Sequence, residues 1–193
     1  MTLNLDSSKA LRRPMDLQAL VQAVLAADPA DEADWIEWKS QLSLQTSDGR
    51  GRAACHILGF ANRHPDRAAR NAEGCGYLMI GVEPGSLSGA DRIDPAELEG
   101  GMRPYLGDQC PQWSLHNLLI RGKPVAIILV EPPRWGDPIY CLHRDTPRQK
   151  AGAVLVRRHG ATHPASPVEM QDLQARLLRR NWSGVLSDLI LVL

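Results

Sequence analysis

Glu32-Ala-Asp-Trp-Ile-Glu-Trp-Lys39 reads as a strand whose two faces differ in chemistry. Side chains alternate across a strand, so Trp35, Glu37 and Lys39 are expected on one side. Ile36 and Trp38 then point the other way, toward a core. A carboxylate and an ammonium two residues apart on one face suit phosphodiester chemistry: the carboxylate can hold a hard divalent cation while the lysine neutralises charge on the scissile phosphate. Glu32, just upstream, offers a second acidic ligand. The plainer reading of the same spacing is a half-buried strand with Glu37 and Lys39 solvated, because a site must be argued from several convergent groups.

Working upstream, Leu17, Leu20, Val21, Val24 and Leu25 recur at helical spacing, with Asp16 as the expected cap and Asp28-Pro29 as the stop. Residues 1–14 are polar, end at Arg12-Arg13-Pro14, and read as a flexible arm. Downstream, Gln45 to Gly51 is turn-rich, and Asp48 is the expected cap of a helix carrying Ala53, Ala54, Ile57, Leu58 and Ala61. Arg63-His-Pro-Asp-Arg-Ala-Ala-Arg70 is basic and irregular. It is either a solvated loop or an arm whose Arg63, Arg67 and Arg70 meet phosphates. Tyr77-Leu-Met-Ile-Gly-Val82 is a glycine-bounded apolar run, the pattern of a strand buried on both faces. It exits into the turn Glu83-Pro-Gly85, which places Glu83 at the end of a central strand.

Asp94-Pro95-Ala-Glu97 has the cap, proline and glutamate of a helix start. Leu98, Met102 and Tyr105 would face inward, and Pro104 would strain or end the helix. Leu115–Ile120 and Val125–Val130 flank Arg121-Gly-Lys-Pro124, a hairpin signal. Ile139–Leu142 and Ala153–Arg157 read as short strands. Arg157-Arg-His-Gly-Ala-Thr-His163 is a second basic cluster. Ser166-Pro-Val-Glu169 opens a helix with Met170, Leu173 and Leu177 on its apolar face, expected to end at Arg179-Arg180. Residues 181–193 are hydrophobic and read as a tail that adds a strand, docks on a partner or begins a further region.

The 193 residues suffice for one well-buried domain. Lys+Arg and Asp+Glu both number 22, so only a local patch could attract nucleic acid. Cys55, Cys75, Cys110 and Cys141 lack C-x-x-C spacing, which argues against a disulfide framework and for a reducing compartment. Cys141-Leu-His143, with Cys110 or His116, is at most half of a zinc site, so zinc is not expected. Cys55 and His56 are adjacent on a helix and face apart, a poor nucleophile–base pair. No segment reaches the roughly 18 apolar residues of a membrane span, nor is there a secretory leader pattern, so the expectation is a cytoplasmic protein without a membrane partner.

In this order the elements resemble the Schlafen-type, AlbA-like nucleic-acid-binding domain of bacterial proteins. Glu32…Glu37-Trp-Lys39 is similar to that family's acidic E-x-x-x-x-E-F-K strand, and Gly59-Phe-Ala-Asn62 to its A-F-A-N helix end. Gly74…Gly76-Tyr-Leu-Met-Ile-Gly-Val82 resembles its G-G-x-L-x-I-G-V strand. Gly122-Lys123 precedes an apolar strand, and Val156-Arg157…Gly160-Ala-Thr162…Ala165 follows its V-R-x-G-x-x-T-x-x-A loop. The resemblance implies a single α+β domain over about 15–180, with a mixed, mostly antiparallel sheet packed by helices, homodimeric, binding RNA or DNA. It also implies a metal-dependent nuclease centre of three acidic residues. By motif these fall on Glu32, Glu37 and, replacing the family's usual aspartate, Glu83, with Mg²⁺ or Mn²⁺ as the ion and Lys39 beside the phosphate. Arg63, Arg67, Arg70, Arg157, Arg158 and Thr162 would then contact the nucleic acid. The alternative is a regulatory or protein-interaction module that binds without cleaving. Two departures stand out: residues 63–73 replace a short turn, and no G-x-x-x-x-G-K-[ST] loop offers an ATP site.

Overall fold

Two apolar faces on one sheet explain the architecture. The computed structural model describes residues 3–190, with side chains through Arg179. Strands β1 (Ile36–Lys39), β2 (Gly76–Ile80), β5 (Trp113–Ile120) and β6 (Lys123–Val130) form a sheet in the order β1-β2-β6-β5. β1 runs parallel to β2, while the β2–β6 and β6–β5 pairs are antiparallel. The two-strand pieces β3 (Val82–Glu83) with β4 (Ser86–Leu87), and β7 (Leu155–Arg158) with β8 (Ala161–Pro164), stand outside it. With helices α1 (Pro14–Leu25), α2 (Ser47–Ala61), α3 (Pro65–Ala68), α4 (Pro95–Leu106) and α5 (Pro167–Ile190), this is a single α+β domain.

A parallel neighbour requires a crossover, and α2 carries the chain from the end of β1 back to the start of β2. Alternation then sorts the side chains. Leu78, Ile80, Ala126 and Ile128 pack with α2 and α4, whereas Tyr77, Met79, Ile127 and Leu129 pack with α1. β2 lies between two strands and two helical layers, so every residue in it is buried. That is why its sequence is continuously apolar. Gly81, at φ +90°, then turns the chain out of the sheet into the β3–β4 hairpin.

Local signals mostly land where they were read. Asp94 caps α4 by accepting from the Ala96 and Glu97 amides, and Ser166 and Glu169 form a reciprocal box at the start of α5. Other expectations are corrected. The α1 cap is Arg13, with Asp16 inside the first turn accepting from the Arg13 amide at 3.2 Å. The α2 cap is Thr46 rather than Asp48, its hydroxyl accepting from the Gly49 amide. Pro104 does not end α4, which continues to Leu106. Cys141 makes only an isolated bridge with Val154 in place of a strand over 139–142, and β8 occupies residues read as loop. α5 continues past Arg180 to Ile190, taking up most of the expected tail, and residues 191–193 lie outside the described residues.

The N-terminal segment is not a free arm. Leu11 is buried in the α1-side core, with Leu3, Leu5 and Ala10 packed against it. The Leu11 amide donates to the Tyr77 hydroxyl at 2.7 Å, and Arg12 forms a two-pronged pair with Glu131. Among the described residues, no helix is long and apolar enough to cross a membrane.

Tyr77→Phe leaves the buried Leu11 amide without an acceptor and is expected to destabilise the fold by about 1–3 kcal/mol. Urea unfolding should show a lowered midpoint at unchanged slope; an unchanged midpoint would mean that this anchor contributes nothing.

Candidate functional site

The side chains that the acidic strand turns toward α2 meet the β7–β8 hairpin there. Glu37 is 2% exposed, yet both its oxygens have cationic partners. Lys39 Nζ donates to Oε1 and Arg157 Nη1 to Oε2. Arg157 Nη2 also donates to the carbonyls of Ile36 at 2.7 Å and Ala33 at 3.2 Å, and lies 3.7 Å from Glu32 Oε1. Glu32 accepts from the Trp38 amide at 3.3 Å. Glu32, Glu37, Lys39 and Arg157 therefore form one cluster. The expected face-sharing of Glu37 and Lys39 holds. Trp35 departs from it, because a turn at Asp34-Trp35 precedes the strand and drops the indole edge-on to Tyr77 in the α1-side core.

The helix end positions the hairpin. Buried Asn62 donates to the carbonyls of Tyr140 and Leu155 at 2.8 and 2.9 Å and accepts from the Tyr140 amide. At Gly59 a Cβ would stand 2.7 Å from Thr162 Cγ2, so only glycine lets the hairpin lie this close to α2. Phe60 sits between two guanidinium groups, with Arg63 at 5.4 Å and Arg157 at 5.7 Å from its ring centre.

Beside this cluster opens a cleft of about 230 Å³, lined by Glu37, Lys39, Arg52, His56, Arg148 and Thr162. His56 Nδ1 lies 3.5 Å from Glu37 Oε2 and 3.4 Å from Thr162 Oγ1. Both neighbours address the same ring nitrogen, so the three groups cannot relay a proton through the imidazole as a catalytic triad does. Sequence spacing sets His56 only against its neighbour Cys55 and gives no sign of Arg52 or Arg148, whereas the partners of His56 come from β1 and β8.

Burial and charge set the protonation states. Burial opposes the charge on Glu37, but the cationic groups around it outweigh burial and hold its carboxyl below the ordinary value: His56 once its ring is protonated in acid, and Arg157 and Lys39 throughout. Glu32 goes the other way: burial, then the negative charge of Glu37, pushes it up to about 7. His56 is pushed down to about 4, chiefly by burial and against the pull of Glu37. It is therefore neutral near pH 7, and its approach to Glu37 is not an ion pair. Cys55, in the same cleft, is pushed up to about 11 by burial and is a poor nucleophile at neutral pH.

The remaining candidates are dispersed. Glu83 sits on the β3–β4 hairpin, paired with Ser86, where β3 packs against both α1 and β1, and it forms no metal-holding group with Glu32 and Glu37. Among the described residues, no group of three or more His, Cys, Asp or Glu side chains is placed to hold a metal ion. Arg157 is buried against Glu37 and is not free to grip a phosphate backbone, and Arg63 is buried on the carbonyls of Phe60 and Gly74. Arg158 is exposed and paired with Glu169 at 2.7 Å. Arg67 and Arg70 are exposed.

The two glutamates give opposite pH dependences. Glu37, depressed in the fold, adds stability above the carboxylate range that is lost as pH falls through its folded value. Glu32, raised in the fold, costs stability as pH climbs from the carboxylate range to about 7. Glu32→Gln removes only that cost. The variant is expected to match the native protein near about pH 4 and to exceed it progressively up to about pH 8, read from urea midpoints across the range. A pH-independent difference would overturn the raised Glu32 value.

No protein-family model and no curated protein matches the chain. Its fold is similar to that of a solved structure, the DIP2311 protein from Corynebacterium diphtheriae, with a TM-score of 0.53 and 18% identity. The match covers 82% of this chain and 31% of that one, so this chain spans about a third of its neighbour's length, and likeness at this identity is one of fold.

Proposed function

We propose that this chain is a nucleic-acid-binding domain that receives the phosphate backbone in the Glu37 cleft. The observation that carries this reading is convergence. Residues from three distant stretches, Lys39, Arg52 and Arg148, bring cationic side chains to one cleft, with neutral His56 and the Thr162 hydroxyl between them. Glu37 on its wall would repel a phosphate if it stood alone, but Lys39 and Arg157 neutralise it. The motif residues behind the resemblance to the Schlafen-type AlbA-like domain, Glu32, Glu37, Lys39, Gly59, Asn62 and Thr162, belong to this cleft or its supports, which favours the same reading.

Recognition rather than cleavage is the better-supported half. A divalent ion at Glu37 would have to displace Lys39 or Arg157, and Glu83 sits outside β1 on the β3–β4 hairpin. The donor set as arranged does not fit the three-carboxylate centre, and no catalytic step follows from it. The cleft instead suits an internal phosphodiester, singly charged and held by Arg52 and Arg148 with Lys39 behind them.

Purified protein with labelled tRNA, single-stranded RNA and duplex DNA tests this directly. Binding is expected to weaken with salt, and Arg52→Glu or Arg148→Glu should each weaken it about tenfold or more and flatten the salt slope by roughly 0.7–0.9. Unchanged affinity in both variants would overturn the cleft assignment. The same mixtures with Mg²⁺ or Mn²⁺ should leave the strands intact; metal-dependent cleavage lost in Glu37→Gln would make the domain a nuclease instead.

A further inference from the structure

A second cavity, of about 470 Å³, opens on the other side of the β7 backbone, between the end of α2, α3 and the first turns of α5. Its character comes from arginines that elsewhere would be on the surface. Arg63, Arg157 and Arg176 line it and are 3%, 3% and 1% exposed. Arg157 has Glu37 as its counter-charge. Arg63 and Arg176 have no carboxylate within ion-pair distance among the described residues, and the charges of Asp34 on Arg63 and Asp137 on Arg176 act from farther off. Arg63 donates to the carbonyls of Phe60 and Gly74, and Arg176 to those of Ala61, Arg63 and Pro138. Carbonyl dipoles satisfy hydrogens but do not cancel a charge. One N–H on each of the three arginines, Nη1 of Arg63 and Nε of Arg157 and Arg176, is also buried without a partner.

Burying a guanidinium uncompensated is expensive, and natural folds accept that cost where a counter-ion completes the arrangement. The rim adds the exposed guanidinium of Arg67, and His64 and His159 line the cavity as well. Asp34 and Asp172 also face it, but neither is within ion-pair distance of an arginine, and Glu169 is committed to Arg158. The uncommitted charges are thus three arginines against two carboxylates, with both buried arginines at the wall.

We propose that this cavity is a receptor for a phosphate monoester, the group carried by a nucleotide or by the end of a nucleic-acid strand. A monoester brings three acceptor oxygens and close to two negative charges to one point, which suits two guanidinium groups without an ion-pair partner and the exposed Arg67 at the rim. The inference does not rest on the reading of the Glu37 cleft, since Arg63, Arg67 and Arg176, which carry it, do not line that cleft.

Thermal unfolding and isothermal titration of the full chain provide the test. The probes are inorganic phosphate, a nucleoside 5′-monophosphate, and one oligonucleotide carrying a 5′-phosphate, a 3′-phosphate or neither, against chloride at matched ionic strength. Phosphate is expected to stabilise the native protein saturably where chloride does not. Arg67→Glu, an exposed change that leaves the core intact, and Arg176→Lys, which keeps the charge but loses the planar fork, should each weaken that effect about tenfold or more. Lys9→Glu, an exposed change that lines neither cavity, should leave it unchanged. A preference for phosphorylated strand ends identifies nucleic acid as the source, while equal response to the free nucleotide identifies a small phosphate ester. No saturable stabilisation by any phosphate, or stabilisation that survives both Arg67→Glu and Arg176→Lys, overturns the proposal.

Discussion

The pairing of Glu37 with Arg157 is the constraint to which the rest of the site answers. A carboxylate this deeply buried could not remain ionised alone, and removing one member of such a pair typically costs about 3–5 kcal/mol. The pair joins β1 to β7, so the hairpin that carries Gly160 and Thr162 is drawn onto α2. Glycine at position 59 makes the approach possible, and Asn62 fixes it by gripping the carbonyls of Tyr140 and Leu155. Lys39 then takes the remaining Glu37 oxygen, and the cleft forms at their edge.

This arrangement also divides the electrostatics in two. On one side of β7, the negative charge of Glu37 is balanced by its neighbours, and the cations that remain approachable are Lys39, Arg52 and Arg148. On the other side, Arg63 and Arg176 serve as braces that hold the C-terminal end of α2 and the segments around Gly74 and Pro138 through carbonyl oxygens. A brace that needs only hydrogen-bond donors could be built from neutral side chains. Two arginines used this way leave charge unspent inside the protein.

Much of the fold was legible because its causes are local. The run from Tyr77 to Val82 announces a strand covered on both faces, Asp94-Pro95 a helix start, and Arg121-Gly122 a tight hairpin turn, both of whose residues adopt positive φ. The shared face of Glu37 and Lys39 followed from alternation alone. What was misread depended on partners far away in sequence. Arg63 looks like one of several loop cations, and only the carbonyls of Phe60 and Gly74 make it a buried clamp. Arg157 gave no local sign that its partner lay on β1, and His56 none that it would lean on Glu37. Trp35 failed for a nearer reason: the turn at Asp34 breaks the alternation one residue before the strand begins.

The separation of Glu37 and Arg157 along the chain, 120 residues, has a further consequence. Loop-closure entropy makes such a contact slow to find, and synthesis presents the N-terminal partner first. While the ribosome is still extending the chain, Glu37 is an ordinary solvated carboxylate, and the sheet edge at β1 has no hairpin beside it. The last fifth of the polypeptide therefore acts as the closing clasp of the domain, and a nascent chain interrupted before Arg157 emerges holds most of the hydrophobic core and most of the residues that line the cleft, but not the hairpin that closes it.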